Sequence, residues 1–347
     1  MVRKLTPLLL ALLLLAPALS AQRQIRLTVA FYNLENLFDT IDGENNDADF
    51  LPDGSNQWTM EKYQQKLHNM AYAISQIGGQ RGPDIIGLAE IENRGVLEDL
   101  LRQPELRDAG YQIVHFDSPD KRGIDCALFY RSSVFQMTSA EPHPVTLVGE
   151  EYIKTRDVLE VTGKLLGEPV SILVGHWPSR VGGEQVSLRR RMQAAKVMRS
   201  VTDSLLQLNP QAKVILMGDF NDDPTSPSVV EGLRSKNSTE GLQPGELFNP
   251  LAKHYLSGRG TLAYRDVWNL FDNIIVSQGL LTSSADSLHL LKDAKTGDYG
   301  HIFDADFLIQ KTGHFKGYPF RTFSSGCFQG GYSDHFPTYI YLTRTVK

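Results

Sequence analysis

A set of short apolar runs constrains this chain most, because each one begins or ends at an Asn, Asp, Glu or His. "TVAFY" leads into Asn33 and Glu35, "DIIGLA" into Glu90, "SILVG" into His176, and "VILMG" into Asp219 and Asn221. Asp272 opens "DNIIVS", and Asp334 and His335 precede "FPTYIYL". Runs of this length, rich in Val, Ile and aromatic residues, predict buried strands. Further strands are expected at "YQIVHFDS", "IDCALFYR" and "LEVTGKLL". Helical spacing covers 59–78, starting at Thr59 and closing at Gly78–Gly79, then "GVLEDLLRQPEL" and the long stretch 183–208. Strands outnumber helices, and no linker divides them. The expectation is one α/β domain over 22–347 with a layered, mixed sheet. The acidic stretch 39–57 reads as a long loop, and the spacing of Asp47, Asp49 and Asp53 before Gly54 does not fit an EF-hand. Residues 279–330 read as a charged, flexible segment.

The N-terminus is separate. "MVRK", the apolar "LLLALLLLAPA" and Ala21 make the three-part pattern of a secretory signal peptide over 1–21. Its run is too short for a membrane anchor, so the mature chain is expected to be periplasmic or secreted. Losing Arg3 and Lys4 takes the formal charge from −5 to −7. An acidic chain argues against a broad non-specific grip on nucleic acid, though not against a local basic patch. Two Cys in an exported chain could pair, but nothing in the sequence places Cys126 and Cys327 within bonding range, and the pairing is left open.

A single polar residue at a strand end is ordinary, because strands run into polar loops. Six such places, all drawn from Asn, Asp, Glu and His, point to a shared site. Hard oxygen donors of this kind suit Mg²⁺, with Mn²⁺ and Ca²⁺ as alternatives. A structural zinc site would more often show Cys.

Together "FYNLEN", "LAEIEN", "GHWPSR", "GDFNDDP", "FDNIIVS" and "SDHFP" resemble, in this order, the signature blocks of the endonuclease/exonuclease/phosphatase superfamily, the family of deoxyribonuclease I. The resemblance runs from about residue 25 to 343 and is close to exported bacterial nucleases. It implies a four-layer α/β sandwich, two packed mixed β-sheets flanked by helices, with the site at one edge. It also implies roles. Glu90 would be the principal metal carboxylate, with Asn33, Glu35 and Asp334 beside it. Asp219 would orient or deprotonate the attacking water, and Asn221 would donate to phosphate oxygens. His335 would contact the scissile phosphate, with Asp272 fixing its tautomer. His176 would serve as general acid or phosphate contact. Arg122 and Arg180 would bind substrate, Arg180 standing where the exported nucleases carry a Lys. Of Arg189, Arg190 and Arg191, at least two are expected on a solvated helix face.

The implied activity is Mg²⁺-dependent hydrolysis of DNA or RNA by a monomer, with no membrane anchor after signal removal and no stable protein partner. The alternative is a phosphatase or phospholipase-type member acting on an inositol phosphate, a sugar phosphate or a phospholipid.

Overall fold

A computed structural model describes residues 23–346 apart from 80, 283 and 325. Residues 1–21, read above as a signal peptide, lie outside the described residues. Two seven-stranded sheets pack face to face. In the first, β1 (Arg23–Leu37) pairs parallel with β2 (Ile85–Ile91), which pairs with β4 (Asp125–Arg131), which pairs with β3 (Tyr111–His115). In the second, β5 (Phe135–His143), β6 (Val158–Leu165) and β7 (Glu168–His176) form an antiparallel run. There β7 pairs parallel with β8 (Lys213–Asp219), and β8 antiparallel with β9 (Asp272–Ser277). The last strand, β10 (Thr338–Val346), returns antiparallel beside β1, so both ends of the described chain close the first sheet.

Alternation along the central strands separates two cores. Ile172 and Val174, Ile215 and Met217, and Ile274 and Val276 face the first sheet. Leu173, Val214, Leu216 and Ile275 face outward, against Ala194, Ala195 and Met198 of α3 (Glu184–Leu208). The sheets approach closely at Gly87, where an added Cβ would lie 2.5 Å from Met217 Sδ. Helices α1 (Met60–Gln76) and α2 (Arg94–Leu101) flank the first sheet, and Thr59 caps α1 by accepting from Lys62 N–H. This is the expected four-layer sandwich.

Three segments differ from expectation. Residues 135–143 form an edge strand whose mostly exposed, polar side chains and Pro142 hide it in the sequence. A hairpin, Leu262–Tyr264 with Val267–Asn269, precedes β9. The segment expected to be flexible holds strands at His289–Leu290 and Gly300–Ile302 that pair with β10, and a small hairpin at Phe323–Ser324 and Cys327–Phe328. Cys126 is buried, Cys327 is exposed, and both are free thiols.

Candidate active site

The parallel pairs β1–β2 and β7–β8 point their C-terminal ends at the same edge of the sandwich. His176 and Asp219 are register partners at the ends of β7 and β8, and Asp272 is Asp219's partner at the start of β9. Segment 333–335 enters from the other sheet, just before β10. Asn33 joins the two sheets, its Nδ2 donating to Asp219 Oδ2 at 3.0 Å.

The backbone is bent where these residues sit. Glu35 and Asn36 have φ of +50° and +53°, Glu90 +63° and Asn221 +50°, and register shifts break the β1–β2 and β2–β4 ladders there. Left-handed φ disfavours a side chain with a Cβ, and such strain concentrates at functional sites. The bulges re-aim side chains and are held by local bonds. Asn36 N–H donates to Glu90 Oε2 at 2.8 Å, Glu35 N–H to Asn33 Oδ1 at 2.9 Å, and Asn221 N–H to Asp219 Oδ1 at 2.9 Å.

His335 Nδ1 lies 2.7 Å from Asp272 Oδ2, which also accepts from Thr261 Oγ at 2.5 Å. Burial opposes a charge on His335, but Asp272, Asp334 and Asp219 overrule it and hold its pKa well above the ordinary value. His176 is the reverse. Burial, Arg156, Arg122 and His335 push its pKa well down, and its Nδ1 is buried without a hydrogen-bond partner. Its Nε2 lies 3.5 Å from Asp219 Oδ2 and 4.0 Å from Glu90 Oε1. With the ring neutral, neither contact is an ion pair. Burial raises Asp219 to about 6, His335 lowering it and Asp272 adding to the rise.

Among the expected metal-side carboxylates, Glu90 accepts from Arg122 Nη2 at 3.2 Å, and Asp334 from Arg321 Nη2 at 2.6 Å. Glu35 is nearby but occupied, with Thr322 N–H donating to its Oε2 at 2.6 Å. Burial and Asp334 raise its pKa to about 7. The atoms of Asp219, Asp272 and His335 lie within 4.8 Å of one another.

Arg122 sits at the site, bonded to Glu90 and, at 3.0 Å, to Asn36 Oδ1. Arg180 is placed differently. Its Nε donates to Asn221 C=O at 2.9 Å, and its Nη2 lies 3.1 Å from both Asp222 and Asp223. It clamps the turn that carries Asn221, so its donors serve the protein where a substrate contact was expected. Arg191 is fully buried, 2.7 Å from Asp222 Oδ2, while Arg190 pairs with Glu150. Arg191 is thus a buried counter-charge of Asp222, while Arg189 is exposed and Arg190 partly so, leaving two of the three toward solvent as expected.

Arg156, Lys66 and Thr261 support the site without belonging to any motif, and Ser333 supports it from within "SDHFP". Arg156 donates to the carbonyls of His176 and Trp177 and pairs with Asp120 at 2.9 Å. Lys66 is buried beneath the 320–334 segment. Thr261 steadies Asp272, and Ser333 accepts from His335 N–H while donating to Asn33 C=O. The extra aspartates in "GDFNDDP" signalled different cations, Arg180 and Arg191, since buried acids need counter-charges.

The family profile described as the endonuclease/exonuclease/phosphatase family matches residues 28–344. The chain belongs to this family. Its members are hydrolases of phosphoester bonds. No curated protein matches it. Solved structures share the fold at low identity. A family protein from Bacteroides thetaiotaomicron is 18% identical, covers 93% of this chain and 97% of its own, and has a TM-score of 0.50. D. rerio TDP2 complexed with single-strand DNA product is 14% identical, covering 91% and 98%, with a TM-score of 0.53. The human nocturnin catalytic domain with bound sulfate is 17% identical, covering 94% and 98%, with a TM-score of 0.50.

Proposed function

We propose that the chain is exported and hydrolyses phosphodiester bonds of DNA or RNA by metal-assisted, in-line attack of water. The observation that carries this reading is the convergence of Glu90, Asn33, His176, Asp219, Asp272 and His335 on one edge. The donor set fits a hard divalent cation, Mg²⁺ first and Mn²⁺ or Ca²⁺ next. Glu90 and Asp334 would hold it, with Asn33 and Glu35 alongside. Bound there, the cation supplies positive charge to the phosphate and lowers the barrier to attack.

The chain's own groups do the rest. Asp219, fixed by Asn33 and Asn221, accepts the proton of the attacking water. His335, kept charged by Asp272, meets the negative charge that grows on the phosphoryl oxygens. Asn221 Nδ2 now donates to Trp177 C=O at 3.0 Å, and must turn to reach a phosphate oxygen. The proton that Asp219 takes up returns through solvent water to the leaving alkoxide, and the neutral His176 donates its one ring N–H to the departing oxygen as a hydrogen bond.

One observation favours a second reading. Beside Arg122 lies a cavity of about 880 Å³ lined by Asp39, Asp42, Glu44, Glu92, Asp117 and Asp120. An acidic wall repels a polyanion running along it, and its carboxylates can accept hydrogen bonds from the hydroxyls of a small phosphoester such as an inositol or sugar phosphate, or from a phospholipid headgroup, whose phosphate lies at the metal side.

Plasmid DNA, RNA, sphingomyelin and inositol phosphates offered with Mg²⁺ or with EDTA test both readings. Nucleic acid cleavage abolished by EDTA is expected. Lipid or inositol phosphate turnover without nucleic acid cleavage would replace the first reading by the second. Export predicts a mature N-terminus at Gln22, read by N-terminal sequencing.

A further inference from the structure

Two arginines at this edge keep open guanidinium groups. Arg122, on the Glu90 side, has a side chain 48% exposed. Arg321 stands at Asp334, with its Nη2 2.6 Å from Oδ2 and its Nε 4.0 Å from Glu35 Oε1, and is 37% exposed. Arg156 and Arg191 are 8% and 0% exposed, with donors committed to carbonyls and carboxylates. A saturated, buried guanidinium meets a substrate only by breaking its own pairs. A half-open one has spare N–H donors in a fork that matches a phosphate.

The segment that carries Arg321 is anchored from two directions. From α1, Lys66 Nζ donates to Tyr332 C=O at 2.6 Å and to Thr322 Oγ, and Asn69 Nδ2 donates to the carbonyls of Gly330 and Gly331 at 3.0 and 2.7 Å. From the acidic loop, Trp58 and Phe50 pack against Phe323, with ring centroids 5.5 and 6.3 Å apart. A buried ammonium persists only where partners compensate its lost hydration. The carbonyl and hydroxyl that compensate Lys66 both belong to this segment, so the lysine fixes where the segment lies.

We propose that Arg321 is a substrate-binding residue that grips the phosphate oxygens from the Asp334 side while Arg122 grips from the Glu90 side, and that Lys66 is its positioning residue. This rests on the phosphoester reading above and names a specificity contact for it. Losing one charge-assisted hydrogen bond corresponds to roughly ten- to hundred-fold in affinity.

The test uses the full chain with Mg²⁺, bis(p-nitrophenyl) phosphate as substrate and inorganic phosphate as inhibitor. Arg321→Ala is expected to raise KM and the phosphate inhibition constant by about ten- to hundred-fold, more than it lowers kcat. Arg321→Lys should recover part of the loss. Lys66→Met should shift KM in the same direction, and Asn69→Ala, a milder cut of the same grip, should do so by less. Unchanged KM and phosphate inhibition in Arg321→Ala overturn the assignment, and unchanged KM in both α1 variants overturns the positioning role. Wild-type protein without phosphoesterase activity would sink the underlying reading instead. Calorimetry of phosphate binding to wild type and Arg321→Ala then decides Arg321 by itself, equal affinities counting against it.

Discussion

His335 and His176 are both buried, and both present Nε2 to the same oxygen, Asp219 Oδ2, at 3.9 and 3.5 Å. They differ in charge, one ring cationic and the other neutral. His335 is surrounded by Asp272, Asp334 and Asp219, which overrule its burial and keep it protonated, whereas burial, with Arg156 and Arg122, keeps His176 neutral. A buried imidazole takes its charge from the groups around it. The pair teaches that one residue type, on either side of one carboxylate, can serve two ends of a hydrolysis. In the proposed reaction a fixed cation meets growing phosphoryl charge, and a neutral ring donates a hydrogen bond to the leaving oxygen.

The sharpest way to break the comparison is to remove each ring. His335→Gln should lower kcat on the order of 10³-fold, whatever the leaving group. His176→Gln should cost about 10²-fold with an alkoxide leaving group and little with p-nitrophenolate, which departs without a proton. Equal losses in both assays would erase the distinction. Measured kcat values for a nucleotide and a p-nitrophenyl ester settle it.

The charge on His335 also predicts a pH dependence. Its folded-state pKa lies above the unfolded value of about 6.5. Its stabilisation is therefore fully present below that value and is lost as pH rises through the folded-state pKa. Asp272→Asn should destabilise the EDTA-treated protein by about 1–3 kcal/mol at pH 6, and the gap should narrow in alkaline buffer. Urea unfolding at several pH values checks the sign. A gap that widens with pH contradicts it.

The smallest expected effect separates a clamp from a substrate contact. Arg180→Lys keeps a cation but loses the fork that holds Asn221, Asp222 and Asp223. A loss in kcat of about tenfold or less with nearly unchanged KM is expected from a small misplacement of Asn221. A KM effect alone would return Arg180 to the substrate.

Strands such as 85–91 and 213–219 were legible because each is a pure apolar run with its polar residue at the end, and the sandwich followed from their order. Residues 135–143 were not, because an edge strand with polar faces lacks that contrast. Asp272 and His335 were legible from their motifs. Their neighbour Thr261 was not, and neither were Lys66, Arg156 and Arg321, because each acquires its partner only through tertiary packing. Arg180 shows the converse. Its place in "GHWPSR" suggested a phosphate contact, yet the two aspartates after Asn221 claim its donors. The left-handed turns at Glu35, Glu90 and Asn221 carry no glycine to announce them.

The division of charge between the two rings is measured most directly by ¹⁵N NMR of the histidine side chains in the labelled full chain at pH 7.5. The account predicts that His335 carries protons on both ring nitrogens while His176 carries one. A neutral His335, or a doubly protonated His176, would contradict it.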